Sequence, residues 1–127
     1  MSDGMLRMLA VFAHLSKGKS VTLLDEIENG INPELVEYLI DSLVESPGQV
    51  LVTTHSPLLL NYLNDDVAKK GVVYLYKDNT GKTRSIRFFD IPSMAEKLNV
   101  MGPGEAYEDT ILTDLLVELA DIEEGLF

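Results

Sequence analysis

Two short apolar runs in this chain each end in residues that can handle a phosphate. Val21-Thr22-Leu23-Leu24-Asp25-Glu26 ends in two acids, and Gln49-Val50-Leu51-Val52-Thr53-Thr54 ends at His55. A carboxylate at the end of an apolar strand is well placed to hold Mg²⁺ on a nucleotide, because that ion takes one or two carboxylates beside phosphate oxygens and water. A second carboxylate next to it can orient an attacking water or take its proton. A neighbouring imidazole can sense or stabilise a terminal phosphate. Each residue alone has a plainer reading, Asp25 as a turn cap and His55 as a loop residue before Ser56-Pro57. Their conjunction carries more, because open α/β sheets gather ligands at the carboxyl ends of parallel strands.

Both runs must therefore be strands that point the same way, and the residues between them supply the means. After Asn29-Gly30 and Asn32-Pro33, residues 33–45 place Leu35, Val36, Leu39, Ile40, Leu43 and Val44 on one helical face. Pro33 suits a first helical turn, and Ser46-Pro47-Gly48 stops the helix. Strand, helix, strand is a βαβ unit, which implies parallel strands and a right-handed crossover. Upstream, residues 4–15 carry Leu6, Leu9, Ala10 and Ala13 at helical spacing, with Ser2 and Asp3 where an N-cap belongs.

Downstream, Val72 to Lys77 and Lys82 to Asp90 flank Asp78-Asn79-Thr80-Gly81, which predicts a β-hairpin. A short helix is expected over 92–99, a break at Met101-Gly102-Pro103-Gly104, and a closing helix over 110–124 with Ile111, Leu112, Leu115, Leu116, Leu119 and Ile122. Tyr74, Tyr76, Phe88 and Phe89 read as core or cross-strand pairs rather than base-stacking platforms.

Composition narrows the function classes. A length of 127 residues with 46% hydrophobic content suits one domain spanning 1–127. No apolar run reaches the roughly 18 residues of a membrane span, and no signal pattern opens the chain, so a cytoplasmic location is expected. The absence of Cys excludes disulfide frameworks, Cys-based zinc sites and Cys nucleophiles, and two His are too few for a His-rich metal cage. A net charge of −11 disfavours stand-alone nucleic-acid binding. The charge is uneven: residues 69–97 carry 7 basic and 3 acidic side chains, whereas 105–127 carry 8 acidic and none basic. The cationic hairpin residues Lys77, Lys82, Arg84 and Arg87 read as a solvated surface in an acidic chain.

Together these motifs resemble ABC-type ATPases. Val21 to Glu26 looks like a Walker B strand, Glu28 to Asn32 like the D-loop after it, and His55 like the switch histidine. Ser2-Asp3-Gly4-Met5-Leu6-Arg7 resembles the ABC signature that opens a helix. Asp-Glu-x-Glu-Asn-Gly-x-x-Pro and Thr-Thr-His-Ser-Pro are similar to the non-transporter branch related to SMC and DNA-repair proteins. Two departures stand out, Met1 where the signature has Leu and Ile27 where a Pro commonly follows Asp-Glu.

The resemblance implies a P-loop NTPase sheet with ATP as substrate and Mg²⁺ as cofactor. By the same likeness Asp25 completes the Mg²⁺ shell, Glu26 polarises the attacking water and His55 contacts the γ-phosphate. Ser2 and Gly4 then meet the nucleotide held by a second subunit, through the free N–H groups of a helix N-terminus. Asn29, Gly30 and Asn32 fall in the loop joining the two sites. Relatives of this branch often act on DNA, so the likeness extends to a DNA association of the parent ATPase.

One element is missing. A phosphate-cradling loop needs Gly-x-x-x-x-Gly-Lys-Ser/Thr between a strand and a helix. The only Gly-Lys-Ser here is Gly18-Lys19-Ser20, with Ala13 at the position of the first Gly and the wrong element order. The chain is therefore expected to be the C-terminal portion of an ATPase domain, a half-site whose Walker A comes from elsewhere. An incomplete sheet exposes an edge and an apolar face, so a homo-oligomer or a complementing Walker A chain is expected. The alternatives are an inert ATPase-derived interaction module and an unrelated Mg²⁺-dependent phosphohydrolase using Asp25 and Glu26 directly.

Overall fold

β-Branched and leucine-rich segments bounded by turns form the strands, and the apolar stripes between them form the helices. The computed structural model describes residues 3–15 and 21–125, which fall into two compact units, residues 1–63 and 64–127.

The first unit begins with helix α1 (Asp3–Leu15), followed by strand β1 (Val21–Leu24), helix α2 (Pro33–Glu45), strand β2 (Gln49–Val52) and a 3₁₀ turn over Pro57–Tyr62. β1 and β2 pair in parallel, with Val21 beside Gln49 and Leu24 beside Val52. The helical and parallel-strand expectations hold, although the strands stop at Leu24 and Val52, two residues short of the expected ends at Glu26 and Thr54. α2 starts where Pro33 fixes the first turn, and the Asn32 side chain accepts a hydrogen bond from the Glu34 N–H at 3.1 Å. Its inward stripe of Val36, Leu39, Ile40 and Leu43 packs with Met8 and Val11 of α1 and with Ile27, Ile31 and Leu59 to make the core.

Among the described residues, only one face of this sheet is covered. Thr22 is buried, and Leu24, Val50 and Val52 are half-buried, whereas Val21, Leu23 and Leu51 on the opposite face are 57, 69 and 62% exposed. Parallel sheets ordinarily have both faces covered, so this apolar surface is unusual. Met5, Leu6 and Leu9, on the outer side of α1, are also exposed.

The second unit comprises helix α3 (Asp65–Gly71), the antiparallel hairpin β3 (Val73–Lys77) and β4 (Thr83–Arg87), a 3₁₀ turn over Phe88–Asp90, and helices α4 (Pro92–Leu98), α5 (Pro103–Glu108) and α6 (Leu112–Glu123). Phe88, Phe89, Ile91, Met94, Leu98, Leu115 and Leu119 are buried, and Tyr74 lies against Phe88 and Tyr107. The aromatic residues thus serve packing, as expected. Two elements differ from expectation. α3 is capped by the Asn64 side chain on the Val67 N–H at 2.9 Å, with Asp65 and Asp66 in its first turn and Lys69 and Lys70 in its last. Helix α4 does end before Met101-Gly102, as expected, but Pro103 then opens a further helix, α5, where its missing N–H costs nothing.

The hairpin turn is held by Asp78. Its carboxylate accepts from the Thr80 hydroxyl, from Arg84 Nε and from the N–H groups of Thr80 and Lys82, and these bonds hold its pKa well below the usual carboxylate range. Arg84 is therefore committed to an ion pair within the fold. Tyr76 donates to Glu123 Oε1 at 2.6 Å, and burial together with that anionic acceptor pushes its phenol up to about 12. A raised phenol adds stability that is complete below the unfolded value of about 10 and is lost as pH rises through the folded one. Alkaline unfolding of this unit is expected to begin between these limits and to coincide with tyrosinate absorbance. Tyr76→Phe should remove that step, and an unchanged alkaline profile in this variant would refute the assignment.

Candidate functional site

The register of the parallel pair builds the site. Because Leu24 lies beside Val52, Asp25 and Thr53 leave the sheet side by side. The Thr53 N–H donates to the Leu24 carbonyl at 2.9 Å, and the Ile27 N–H to the Thr53 carbonyl at 3.2 Å. The Thr53 hydroxyl works in both directions: it donates to Asp25 Oδ1 and accepts from the Glu26 N–H at 3.0 Å. One threonine thereby fixes both carboxylate-bearing residues.

Glu26 has a backbone φ of +48°, a left-handed conformation that non-glycine residues rarely adopt. This turn brings Oε1 to within 3.1 Å of His55 Nε2, while Oε2 accepts from Asn29 Nδ2 at 2.7 Å. Strain of this kind costs on the order of 1–3 kcal/mol and persists where surrounding contacts over-determine it. Glu26→Gly is expected to raise stability by up to about 1 kcal/mol, since relief of the strain outweighs the extra unfolded-state freedom of Gly. A urea midpoint below that of the wild type would disprove the strain.

A second carboxylate stitches the two loops together. Glu28 Oε1 accepts the His55 N–H at 2.9 Å, and Oε2 accepts the Thr54 hydroxyl at 2.7 Å. Burial raises the Glu28 pKa, but these bonds outweigh it and leave the carboxyl below its ordinary value.

The loop is also gripped from α1. The Arg7 guanidinium donates to the carbonyls of Asp25 and Asn29, each at 2.7 Å, and of Glu26 at 3.3 Å. Gly4, buried at the start of α1, lies so close to the loop that a Cβ there would stand 1.5 Å from the Gly30 carbonyl oxygen. Gly30 itself has φ +75°.

Of the residues singled out from the sequence, Asp25, Glu26, Asn29 and His55 converge. Gly4 and Gly30 meet through backbone contact, and the Asn32 side chain is occupied in capping α2. Ser2 and Gly18-Lys19-Ser20 lie outside the described residues. Arg7, Glu28, Thr53 and Thr54 are additions, and each stood within or beside a quoted motif without a residue-level signal of its partner.

The donor set suits a magnesium ion that arrives with a polyphosphate. Asp25 offers an exposed carboxylate with one oxygen engaged by Thr53. No group of three or more His, Cys, Asp or Glu among the described residues could cage an ion alone. Mg²⁺ needs no such cage, since it is held by one or two carboxylates with phosphates and water.

Comparison with known proteins bears on the first unit. Residues 1–61 match the family described as "AAA domain, putative AbiEii toxin, Type IV TA system". The chain is also 30% identical over 81 residues to an uncharacterized ABC transporter ATP-binding protein, YfmR, of Bacillus subtilis (strain 168). The first unit is similar to ATPase domains. Together the two matches make the chain similar to ABC-like ATPase domains of the P-loop class. The second match covers 62% of this chain but 13% of the relative, so the chain corresponds to a small part of that protein. Among the described residues no helix is long and apolar enough to cross a membrane.

Proposed function

We propose that this chain supplies the hydrolytic half of an ABC-type ATPase site, with the phosphate-cradling loop contributed by another segment or chain. The observation that supports it most is the joining of Glu26, His55 and Asn29 in one hydrogen-bonded group beside Asp25. In this reading Asp25 would help to hold Mg²⁺, which when bound would supply neutralising charge to the phosphates. Glu26 Oε1 orients the attacking water and accepts its proton as the oxygen–phosphorus bond forms, and ADP departs as the leaving group. His55, with its side chain 83% exposed, is free to turn from Glu26 toward the terminal phosphate.

Arg7 and Gly4 fit the same reading, because they fix the helix that resembles the signature onto the loop carrying Glu26 and Asn29. The apolar outer face of Val21, Leu23 and Leu51 suits a complementing segment or a second copy of the chain. The Asp-Glu-x-Glu-Asn-Gly-x-x-Pro and Thr-Thr-His-Ser-Pro segments favour the non-transporter branch in this reading. If the exposed face alone matters, the chain is an inert interaction module in which these residues are remnants.

Calorimetry of the purified chain with Mg-ATP, with Asp25→Asn as control, tests the proposal. No heat is expected from the chain alone, and binding is expected once a chain carrying Gly-x-x-x-x-Gly-Lys-Ser/Thr is added. Asp25-dependent binding by the isolated chain would mean that it builds a complete phosphate site, and the half-site proposal would fall.

A further inference from the structure

We infer that Glu28 is the positioning residue of His55, holding it through the backbone rather than through its side chain. This rests on the reading of His55 as a phosphate-contacting group, although its test does not.

The imidazole of His55 is 83% exposed, so packing does not hold it, and Glu26 Oε1 is its side-chain partner. Its backbone is held firmly by contrast. The Glu28 carboxylate accepts the His55 N–H and the Thr54 hydroxyl with different oxygens, and the Thr54 oxygen in turn accepts the Ser56 N–H at 3.0 Å. One side chain from the loop after β1 thus organises three consecutive residues of the loop after β2. The bonds are charge-assisted, and Glu28 is half-buried, so water competes with them less than at an open surface.

The geometry requires such a staple. Thr53 ties the two loops at the strand ends, but His55 lies two residues further on, beyond the last paired residue Val52. Ser56 to Pro57 then turns the chain into the 3₁₀ segment. Without Glu28, no side chain among the described residues spans from the β1 loop to the backbone of residues 54–56. An error of about 1 Å in a reacting group can cost on the order of a hundredfold in rate, which gives this anchoring functional weight. Thr53 and Asn29 position the carboxylates, and Glu28 positions the imidazole.

The test reads His55 by heteronuclear NMR of the 127-residue chain without nucleotide, at fixed pH, with its imidazole resonances assigned by loss in His55→Gln. In the chain with Glu28, Glu26→Gln is expected to shift these resonances, because the two side chains touch. In a Glu28→Ala background the same change is expected to leave them in place, because the imidazole has already left Glu26. Should that chain not fold, Glu28→Asp, one methylene too short to bridge both donors, carries the same expectation.

Glu28→Gln, which can still accept the His55 N–H and donate to the Thr54 oxygen, is expected to restore the response. An undiminished response in the folded Ala or Asp background would overturn the inference, as would a Gln background as unresponsive as Ala. Failure of the ATPase proposal would leave these resonances unaffected, so the two can fail separately.

Discussion

In an active ATPase assembled around this chain, Glu26→Gln is expected to lower turnover at least about a hundredfold while leaving nucleotide bound. The amide matches the carboxylate in shape, so the left-handed turn at residue 26 and its neighbours need not move. It retains one acceptor oxygen for Asn29 or His55, and both contacts lie where solvent competes, so only a few tenths of a kcal/mol in stability is at stake. What it loses is the negative charge and the site that accepts the water proton. The expected signature is therefore a variant that melts with the wild type, binds Mg-ATP and accumulates in the nucleotide-bound assembly. Phosphate release under single-turnover conditions measures the chemical step directly. Unchanged release would remove Glu26 from the role of base and leave Asp25 or Glu28 as the nearest carboxylates to examine.

The site was legible where chemistry follows residue type at a strand end. Asp25-Glu26 and His55 needed only the pattern of apolar runs and punctuation, and the hairpin followed from Asp78-Asn79-Thr80-Gly81. What the sequence did not carry was register. The alignment of Leu24 with Val52 decides that Thr53 meets Asp25 and that Glu28 reaches Thr54 and His55, and nothing in the spacing of residues 25–28 and 53–55 distinguishes this pairing from a shift by one.

Arg7 was hidden for a different reason. It donates to carbonyls, and every residue has one, so no partner side chain marks the contact. α3 and α5 span two turns or fewer, too short for a periodic stripe, although Asn64-Asp65-Asp66 did carry a cap signal.

Gly4→Ala is expected to destabilise the first unit by about 3 kcal/mol or more, against the gain of about 1 kcal/mol that the same change brings in an unobstructed helix. The added Cβ would lie 1.5 Å from the Gly30 carbonyl oxygen, 2.7 Å from its carbon and 3.3 Å from Ile31 Cα. All three are backbone atoms, so no rotamer change clears the space. The loop cannot easily retreat either, because Ile27 and Ile31 are buried, Asn32 caps α2 and Arg7 grips three carbonyls. The remaining relief is for α1 to withdraw, which pulls Met8 and Val11 out of the core and breaks the Arg7 fork. Gly71→Ala in α3, where a Cβ meets nothing within 4 Å, is the matched control and should be neutral or slightly stabilising. Chemical unfolding followed by far-ultraviolet circular dichroism compares the two. If Gly4→Ala unfolds at the wild-type midpoint, α1 is not seated on this loop in solution; if it unfolds early, the glycine in the signature-like segment is fixed by packing within the chain, whatever it also contributes across an interface.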